Sequence, residues 1–203
     1  MSTTTPDALV TLDTDRSIWE RFFLVAPLIV VGSRGDGEDN LAPKHMAMPF
    51  SWKQYYGFVC APHHKTYQNI KATGSFAVSY PRPEQVTAAS LTASQRRDGP
   101  GVEKPIVETL PTFPATQVEG RFLEDAYLYL ECELDRFIDD LDDNSLILGR
   151  IVAAHVHQDA LRVSDGDDQS LLHNAPLLAY VHPGRYATVR ETNAFPFPAG
   201  FSK

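Results

Sequence analysis

Apolar residues along the chain follow the alternation, or the short β-branched runs, that are typical of strands. In "SFAVSY" (75–80), for example, Phe76, Val78 and Tyr80 share one face. Together with the acidic and glycine-containing turns between them, about six or seven such segments predict a mainly β fold. The other clear strand segments are "LIVVGS" (28–33), "YGFVCA" (56–61), "YLYLECELDRF" (127–137), "SLILGRIVAAHVHQ" (145–158) and part of "APLLAYVHPGRYATV" (175–189).

Helical patterns are short and few, which places helices on the outside of a closed barrel. Residues 16–23 are predicted to form a helix because Ser17 and Glu20 have capping-box spacing. A helix over 66–72 is predicted to stop at Gly74. A third predicted helix covers 83–97, Pro27 is expected to end the first one, residues 98–117 are expected to be irregular, and 40–52 to be semi-extended.

Length and composition indicate one domain. The chain has 203 residues, of which 43% are hydrophobic and 22% charged, enough for a substantial core. No linker-like stretch divides it. We therefore expect a flexible N-terminus over 1–15, a single domain over 16–187, and a tail over 188–203 whose phenylalanines pack on a partner subunit.

Charge and apolar runs exclude several classes of function. A net charge of −8 argues against general nucleic-acid binding. The longest apolar run, 22–31, is too short to span a membrane, and the N-terminus lacks a signal-peptide pattern, so a cytoplasmic protein is expected. Cys60 and Cys132 lie in apolar surroundings and are predicted to be buried free thiols rather than a disulfide or zinc ligands.

A group of polar and basic residues precedes the helix predicted at 66–72. Lys65 offers a charge, Thr66 a hydroxyl, and His63 and His64 two imidazoles. The free N–H groups of a helix start point the same way, which favours an anion such as phosphate. The alternative is a solvated helix cap with no ligand.

The segment "NLAPKHMAMPFSW" (40–52) combines small residues, two methionines and two prolines. A flat aromatic ligand could lie on such a segment, with its polar edge met by backbone groups. The alternative is that Met46 and Met48 fill the core.

Several pieces of the chain, taken in order, resemble the flavin reductase-like family of FMN-binding split β-barrels. The resemblance covers roughly residues 20–187. It implies a six-stranded Greek-key split barrel with a few peripheral helices, a homodimer, and FMN near the subunit interface. The matching pieces are "LIVVGSRGDGEDNLAP", "FVCAPHHKTYQNIKATGSFAVSY", "YLYLECEL", "LILGRIVAAHV" and "PLLAYVHPGRY".

The resemblance also implies which residues bind the cofactor. Positions that match the ring-facing segment of the family are Asn40, Ala42, Met46, Ala47, Met48 and Ser51. Positions that match the phosphate loop are His64, Lys65 and Thr66, with Asn69 as an additional candidate. The family's reductases resemble the pattern Asp-His-x-x-x-x-Gly near the nicotinamide site, where this chain has Asn144 in place of the histidine.

Two functions from different classes follow from this resemblance. The first is an FMN-binding oxidoreductase that passes reducing equivalents from NADH or NADPH through the flavin. The second is a flavin-binding protein or electron carrier without turnover of its own, which the missing histidine at Asn144 favours. Related barrels that bind pyridoxal phosphate, haem or deazaflavin are a third alternative. The small-molecule substrate or electron acceptor is left open.

Other ligand sites are weaker alternatives. His155 and His157 could hold a metal with Asp159, although exposed strand histidines, with Val152, Ala154 and Val156 facing the core, fit the pattern better. The acidic run 139–144 lacks the loop pattern of a calcium site and is predicted to be a solvated hairpin. The chain has no G-x-S-x-G, Walker or G-x-G-x-x-G motif.

Overall fold

The computed structural model describes residues 8–95, 104–163 and 169–200. Most of the regular structure is β-strand, as predicted. The strands are β1 (Leu24–Pro27), β2 (Ile29–Gly35), β3 (Glu38–Lys44), β4 (Ala47–Pro49), β5 (Tyr55–Cys60), β6 (Ser75–Tyr80), β7 (Thr112–Pro114), β8 (Arg121–Leu123), β9 (Leu128–Leu141), β10 (Asn144–Val156), β11 (Leu177–His182) and β12 (Arg185–Val189). The α-helices are α1 (Lys65–Thr73), α2 (Val86–Leu91), α3 (Pro105–Thr109) and α4 (Gln169–Asn174), and single 3-10 turns lie at Trp19–Arg21, Pro83–Gln85 and Gln158–Ala160.

The main sheet is antiparallel and has the strand order β3-β2-β6-β9-β10-β5-β4. Its two edge strands, β3 and β4, are neighbours in the chain, separated only by His45 and Met46. One extended segment therefore pairs with β2 in its first half and with β5 in its second, so the sheet must curl back on itself. Six chain segments build this curled sheet, which confirms the predicted mainly β barrel with a few peripheral helices.

The barrel interior is filled from facing strands. Phe58 and Phe76 meet edge to face, with ring centroids 5.3 Å apart, and Ile147 is fully buried beside them. Cys60 and Cys132 are buried free thiols, as predicted, and burial raises the pKa of Cys132 to about 12. These thiols act as small apolar groups of the core.

Two acidic turns connect the long hairpins, in agreement with the sequence pattern. Asp36 and Gly37 join β2 to β3 with φ angles of 55° and 80°, a left-handed pair that suits a two-residue hairpin. The β9–β10 hairpin has register irregularities after Asn144, after Leu148 and after Ile151. The predicted core phase at the end of β10 is wrong, because both faces of the strand are exposed there and Val156 is 40% exposed. Val152 is half-buried and Ala154 exposed.

The first predicted helix is wrong. Residues 16–23 contain only one 3-10 turn, and no side chain caps it. The chain after it is extended as β1, and Pro27 belongs to that strand opposite Ala179. Pairing with β11, which is distant in sequence, outweighs the local capping-box pattern.

The third predicted helix is shorter than expected, and its neighbourhood is more regular. Helix α2 ends at Leu91, and residues 96 and 97 of the prediction lie outside the described residues, as do 98–103 of the predicted irregular stretch. The rest of 98–117 contains α3 and β7.

Strand β8 crosses β2 so closely that a Cβ at Gly32 would lie 2.0 Å from the carbonyl oxygen of Arg121.

The C-terminal strands β11 and β12 form a separate three-stranded sheet with β1, in the order β1-β11-β12. The described tail, 190–200, has no strand or helix, and Phe195 and Phe197 are exposed with ring centroids 4.7 Å apart. The packing of this tail on a partner stays a prediction. Within the described ranges, no helix is long and apolar enough to cross a membrane.

A buried carboxylate fixes the loop that crosses the sheet before β8. Glu131 on β9 is fully buried, and its oxygens accept hydrogen bonds from the Thr116 hydroxyl at 2.8 Å and from the backbone N–H groups of Thr116, Gln117 and Val118. Burial acts to raise the pKa of Glu131, but these hydrogen bonds outweigh it and hold the pKa below the ordinary value. The charged form is thus built into the fold.

We expect Glu131→Gln to lower the free energy of unfolding by about 2–3 kcal/mol, because an amide replaces a carboxylate that several donors surround. Chemical denaturation measures this loss. Glu133→Gln is the matched control on the same strand, since Glu133 is exposed and forms a surface ion pair with Arg150. Equal effects of the two variants would contradict the anchoring role of Glu131.

Candidate functional site

Helix α1 begins at Lys65, whereas the sequence predicts Thr66 as the N-cap and a helix that begins near Tyr67. Its N-cap is His64, which has an extended backbone and makes no side-chain cap hydrogen bond, and its C-cap Gly74 has the left-handed φ of 71° expected at this position. Thr66 is therefore not the cap. Its side chain is buried, and its hydroxyl accepts a hydrogen bond from Asn40 Nδ2 at 3.0 Å. The first turn keeps backbone N–H groups that point out of the helix start.

Two buried polar contacts hold α1 against the barrel. One is the Asn40–Thr66 hydrogen bond, which ties the helix to β3. The other joins Asn69 Nδ2 to Ser33 Oγ at 3.4 Å, and Asn69 lies so close to β2 that a Cβ at Gly35 would be 2.4 Å from its amide oxygen. Asn40 and Asn69 thus fix the start of α1 on the side that faces β2 and β3.

On its other side, α1 contacts the β9–β10 hairpin. The Tyr67 hydroxyl donates to Asp139 Oδ1 at 3.1 Å, and Ser145 Oγ donates to the same oxygen at 2.6 Å. Ser145 in turn pairs with Cys60 at the end of β5. Asn144, the first residue of β10, therefore lies at the same edge of the barrel as the start of α1.

Cationic side chains gather at this edge. The Lys65 ammonium lies 2.8 Å from Asp36 Oδ2, and its hydrogen bond and charge lower the pKa of Asp36. The rings of His63 and His64 meet with centroids 4.5 Å apart. Lys44, at the end of β3, adds a positive charge that acts to lower the pKa values of His64 and Cys60. Sequence reasoning missed Lys44 because it lies 21 positions before Lys65 and only strand pairing brings it here.

Burial decides the protonation of the groups beside Lys44. It lowers the pKa of His64, and the charges of Lys44 and His63 act in the same direction. Burial also raises the pKa of Cys60, whose sulfur lies 3.8 Å from His64 Nδ1, despite the opposing effect of Lys44. Near neutral pH, His64 is a neutral donor or acceptor and Cys60 a thiol, so the positive charge comes from Lys44 and Lys65.

The segment predicted to face a flat ligand lies next to this cationic edge. Met46 accepts a backbone hydrogen bond from Val59 at 2.9 Å, one residue before Cys60. Met46 and Met48 are 52% and 56% exposed, so the alternative that they fill the core is wrong, whereas Ala47 is buried between them. Ala42, in β3, is half-buried.

Ser51 has a local structural role. Its hydroxyl accepts hydrogen bonds from the backbone N–H groups of Lys53, Gln54 and Tyr55 at 3.1–3.2 Å, which closes the turn between β4 and β5. The turn keeps Met48 on the outer side of β4, next to the predicted ring position. A role of Ser51 in ligand binding stays a prediction.

The alternative metal sites find no support among the residues described. His155 Nε2 lies 3.4 Å from Glu131, and His157 Nδ1 lies 2.7 Å from Asp159, which also pairs with Arg82 at 2.8 Å. Over the three described ranges, no group of three or more His, Cys, Asp or Glu residues is placed to hold a metal. These contacts are ion pairs and hydrogen bonds of the surface and of the Glu131 anchor.

Comparison with known proteins agrees with this geometry. Residues 21–189 match the model of the flavin reductase like domain. An uncharacterised protein of Methanothermobacter thermautotrophicus is 29% identical over 174 residues, which cover 82% of this chain and 80% of that protein.

Two solved structures share the fold. A flavoredoxin from Methanosarcina acetivorans superposes with a TM-score of 0.74 at 19% identity, covering 95% of this chain and 97% of its own. The NADH:FAD oxidoreductase of Streptomyces globisporus, in complex with NAD and FAD fragments, gives a TM-score of 0.64 at 17% identity, with 81% and 85% covered. At these identities the likeness establishes the fold. The family match spans most of the chain, and the chain therefore belongs to the flavin reductase-like family, whose members are flavin-related oxidoreductases.

Proposed function

We propose that this protein binds FMN and passes reducing equivalents from NADH or NADPH through the bound flavin. The observation that carries the proposal is the position of Lys44 and Lys65 at the start of α1, beside the exposed methionines Met46 and Met48. A cationic helix start and an exposed apolar segment thus lie next to each other, which supports the binding of a flavin mononucleotide.

The phosphate end fits a terminal phosphate. Such a group carries nearly two negative charges near neutral pH. Two lysines and the N–H groups of a nine-residue helix meet it, and the neutral His64 adds a hydrogen bond. This donor set favours FMN over FAD, since the phosphates of FAD are internal and carry less charge each.

The ring end fits a flat, polarisable group. Met46 and Met48 present thioethers on the outer side of β4, and sulfur makes favourable contacts with aromatic rings. The buried Ala47 keeps the segment close to the barrel. The backbone of the 45–50 segment would supply donors and acceptors to the polar edge of the ring.

The bound flavin would supply the hydride chemistry, so no side chain needs to act as an acid, base or nucleophile. The protein's own part is to hold the phosphate with Lys44 and Lys65 and to seat the ring on Met46 and Met48. Asn144, at the same edge, can donate a hydrogen bond to a nicotinamide but cannot carry the charge of a histidine. If the nicotinamide site is lost with that histidine, the protein is a flavin-binding electron carrier, which is the second candidate.

The ion pair between Lys65 and Asp36 gives a test of the phosphate site. We expect Lys65→Met to weaken FMN binding by about ten- to a hundredfold, the range for losing a charge-assisted hydrogen bond. Asp36→Asn removes the carboxylate that holds Lys65, keeps a residue tolerant of the left-handed turn, and should tighten FMN binding by a few-fold. Isothermal titration with FMN measures both.

Lys71→Met is the matched control for these variants. Lys71 lies in the last turn of the same helix, so its loss removes equal charge at the opposite end. An FMN affinity that changes equally in Lys65→Met and Lys71→Met would show that only net charge matters and would remove Lys65 from the phosphate site.

The nicotinamide step has its own test. Purified protein loaded with FMN is mixed with NADH or NADPH without oxygen, and the flavin band at about 450 nm is followed. We expect it to bleach, and Asn144→His to speed the bleaching while leaving FMN affinity unchanged. Persistent colour that only dithionite removes would contradict the oxidoreductase and support the electron carrier.

We also propose a homodimer. Phe23 and Val25 of the first strand region are 67% and 75% exposed, Trp52 is fully exposed, and β1 lies against β4. An apolar surface of this kind marks an interaction site, and a second copy would cover it beside the flavin.

Sedimentation equilibrium should give twice the chain mass of 22.6 kDa, and Phe23→Asp should shift the measured mass towards that of the monomer. A monomeric wild type would contradict this proposal.

A cytoplasmic location stays a prediction.

A further inference from the structure

A cleft of about 390 Å³ opens beside the bend between β3 and β4, on the side of the C-terminal hairpin. Helix α2 and the region before β2 contribute apolar walls, among them Leu28 and Val86. The hairpin of β11 and β12 contributes Tyr180, Arg185 and Tyr186. The volume lies in the range of small-molecule sites, and of its lining residues only Lys44 belongs to the cationic edge described above.

Aromatic rings line one side of the cleft in a fixed arrangement. The centroid of His45 lies 4.5 Å from that of Tyr180 and 5.6 Å from that of His182, with the two imidazoles nearly parallel at 19°. The Tyr180 hydroxyl accepts the backbone N–H of Gly184 at 3.0 Å, which locks the ring to the hairpin turn. Both ring nitrogens of His182 are buried, and neither has a hydrogen-bond partner within the described part of the chain. The rings of His45 and Tyr180 thus form an aromatic wall of the cleft, with His182 packed behind His45.

One cationic group at this cleft is available to a ligand. The side chain of Arg185 is exposed, and among the described residues it makes no ion pair or side-chain hydrogen bond. Lys44 also borders the cleft, but its charge acts on Cys60 and His64 at the start of α1. Burial lowers the pKa of His45, so this ring is neutral near neutral pH. Arg185 thus sets the charge preference of the cleft.

We propose that this cleft binds a small planar aromatic carboxylate. The guanidinium of Arg185 would pair with the carboxylate through two parallel hydrogen bonds, while Tyr186 and the His45–Tyr180 wall cover the ring. The lining is mainly apolar, and Lys44, its other cation, interacts with Cys60 near the start of α1, which disfavours a phosphate, since a phosphate needs several donors. Because Lys44 and His45 directly precede Met46, the acid would lie beside the segment assigned to the flavin ring; only this last step rests on the proposed function.

Benzoate is the probe, and benzamide, which has the same shape without the charge, is its control. Saturation-transfer NMR and calorimetry should show that benzoate binds at least about tenfold more tightly than benzamide. Arg185→Gln should remove this preference. Arg190→Gln, an equal charge change just after the same hairpin and outside the cleft, should leave it intact. Benzoate binding no tighter than benzamide binding, or an equal loss in both variants, would overturn the proposal.

The same preparations separate this inference from the proposed function, because FMN affinity is measured beside benzoate affinity. Benzoate binding without FMN uptake would overturn the flavin proposal and leave the cleft standing. FMN uptake without a benzoate preference would overturn the cleft alone. Displacement of benzoate by FMN would show that the two share one pocket, and this too would overturn a separate site. Tyr186→Leu, which should weaken benzoate and benzamide alike, checks the ring contact independently of charge.

Discussion

The hydrogen bond between Asn40 Nδ2 and Thr66 Oγ1 is the contact on which the candidate site depends. It is buried, and it joins β3, which leads into the segment proposed to face the flavin ring, to the first turn of the helix proposed to hold the phosphate. A second buried contact, from Asn69 to Ser33, holds the helix to β2, so that the helix cannot rotate about the Asn40–Thr66 hydrogen bond. Two polar contacts in a low-dielectric setting thus set the direction of the helix start.

The curled sheet brings the remaining parts together. Because β3 and β4 form one segment that pairs with both β2 and β5, Lys44 at its bend reaches the end of β5 and the start of α1. The same bend places His45 against the C-terminal hairpin. One short stretch of chain therefore borders both the cationic edge and the aromatic cleft. The proposed phosphate site and the proposed site for an aromatic acid can therefore be neighbours without a long active-site loop.

The sequence predicted the features that depend on local pattern. Alternation located the barrel strands, such as Phe76 and Val78 in β6, and Gly74 marked the end of α1 because only a left-handed residue fits there. It failed where tertiary context decides: the chain after Trp19 is extended and pairs as β1, and the end of β10 is exposed on both faces, so that Val156 lies outside the core. Small strands such as β7 and β8 depend on the Glu131 anchor and carry no pattern of their own.

The candidate site was predictable to a similar extent. His64, Lys65 and Thr66 adjoin one another in sequence and meet at the helix start, although Thr66 faces inward to Asn40. Neither Lys44 nor the partner of Lys65, Asp36, carries any signal in sequence, since only the strand order and the β2–β3 turn bring them near. The sequence also left open whether Met46 and Met48 fill the core, and their exposure answers this.

The most direct test of the account is a comparison of FMN with riboflavin by calorimetry. The two ligands share the ring and differ in the phosphate, so their difference in affinity isolates the start of α1. The account predicts that FMN binds at least about a hundredfold more tightly, since several charge-assisted hydrogen bonds are lost with the phosphate. Equal affinities, or no binding of FMN, would contradict it.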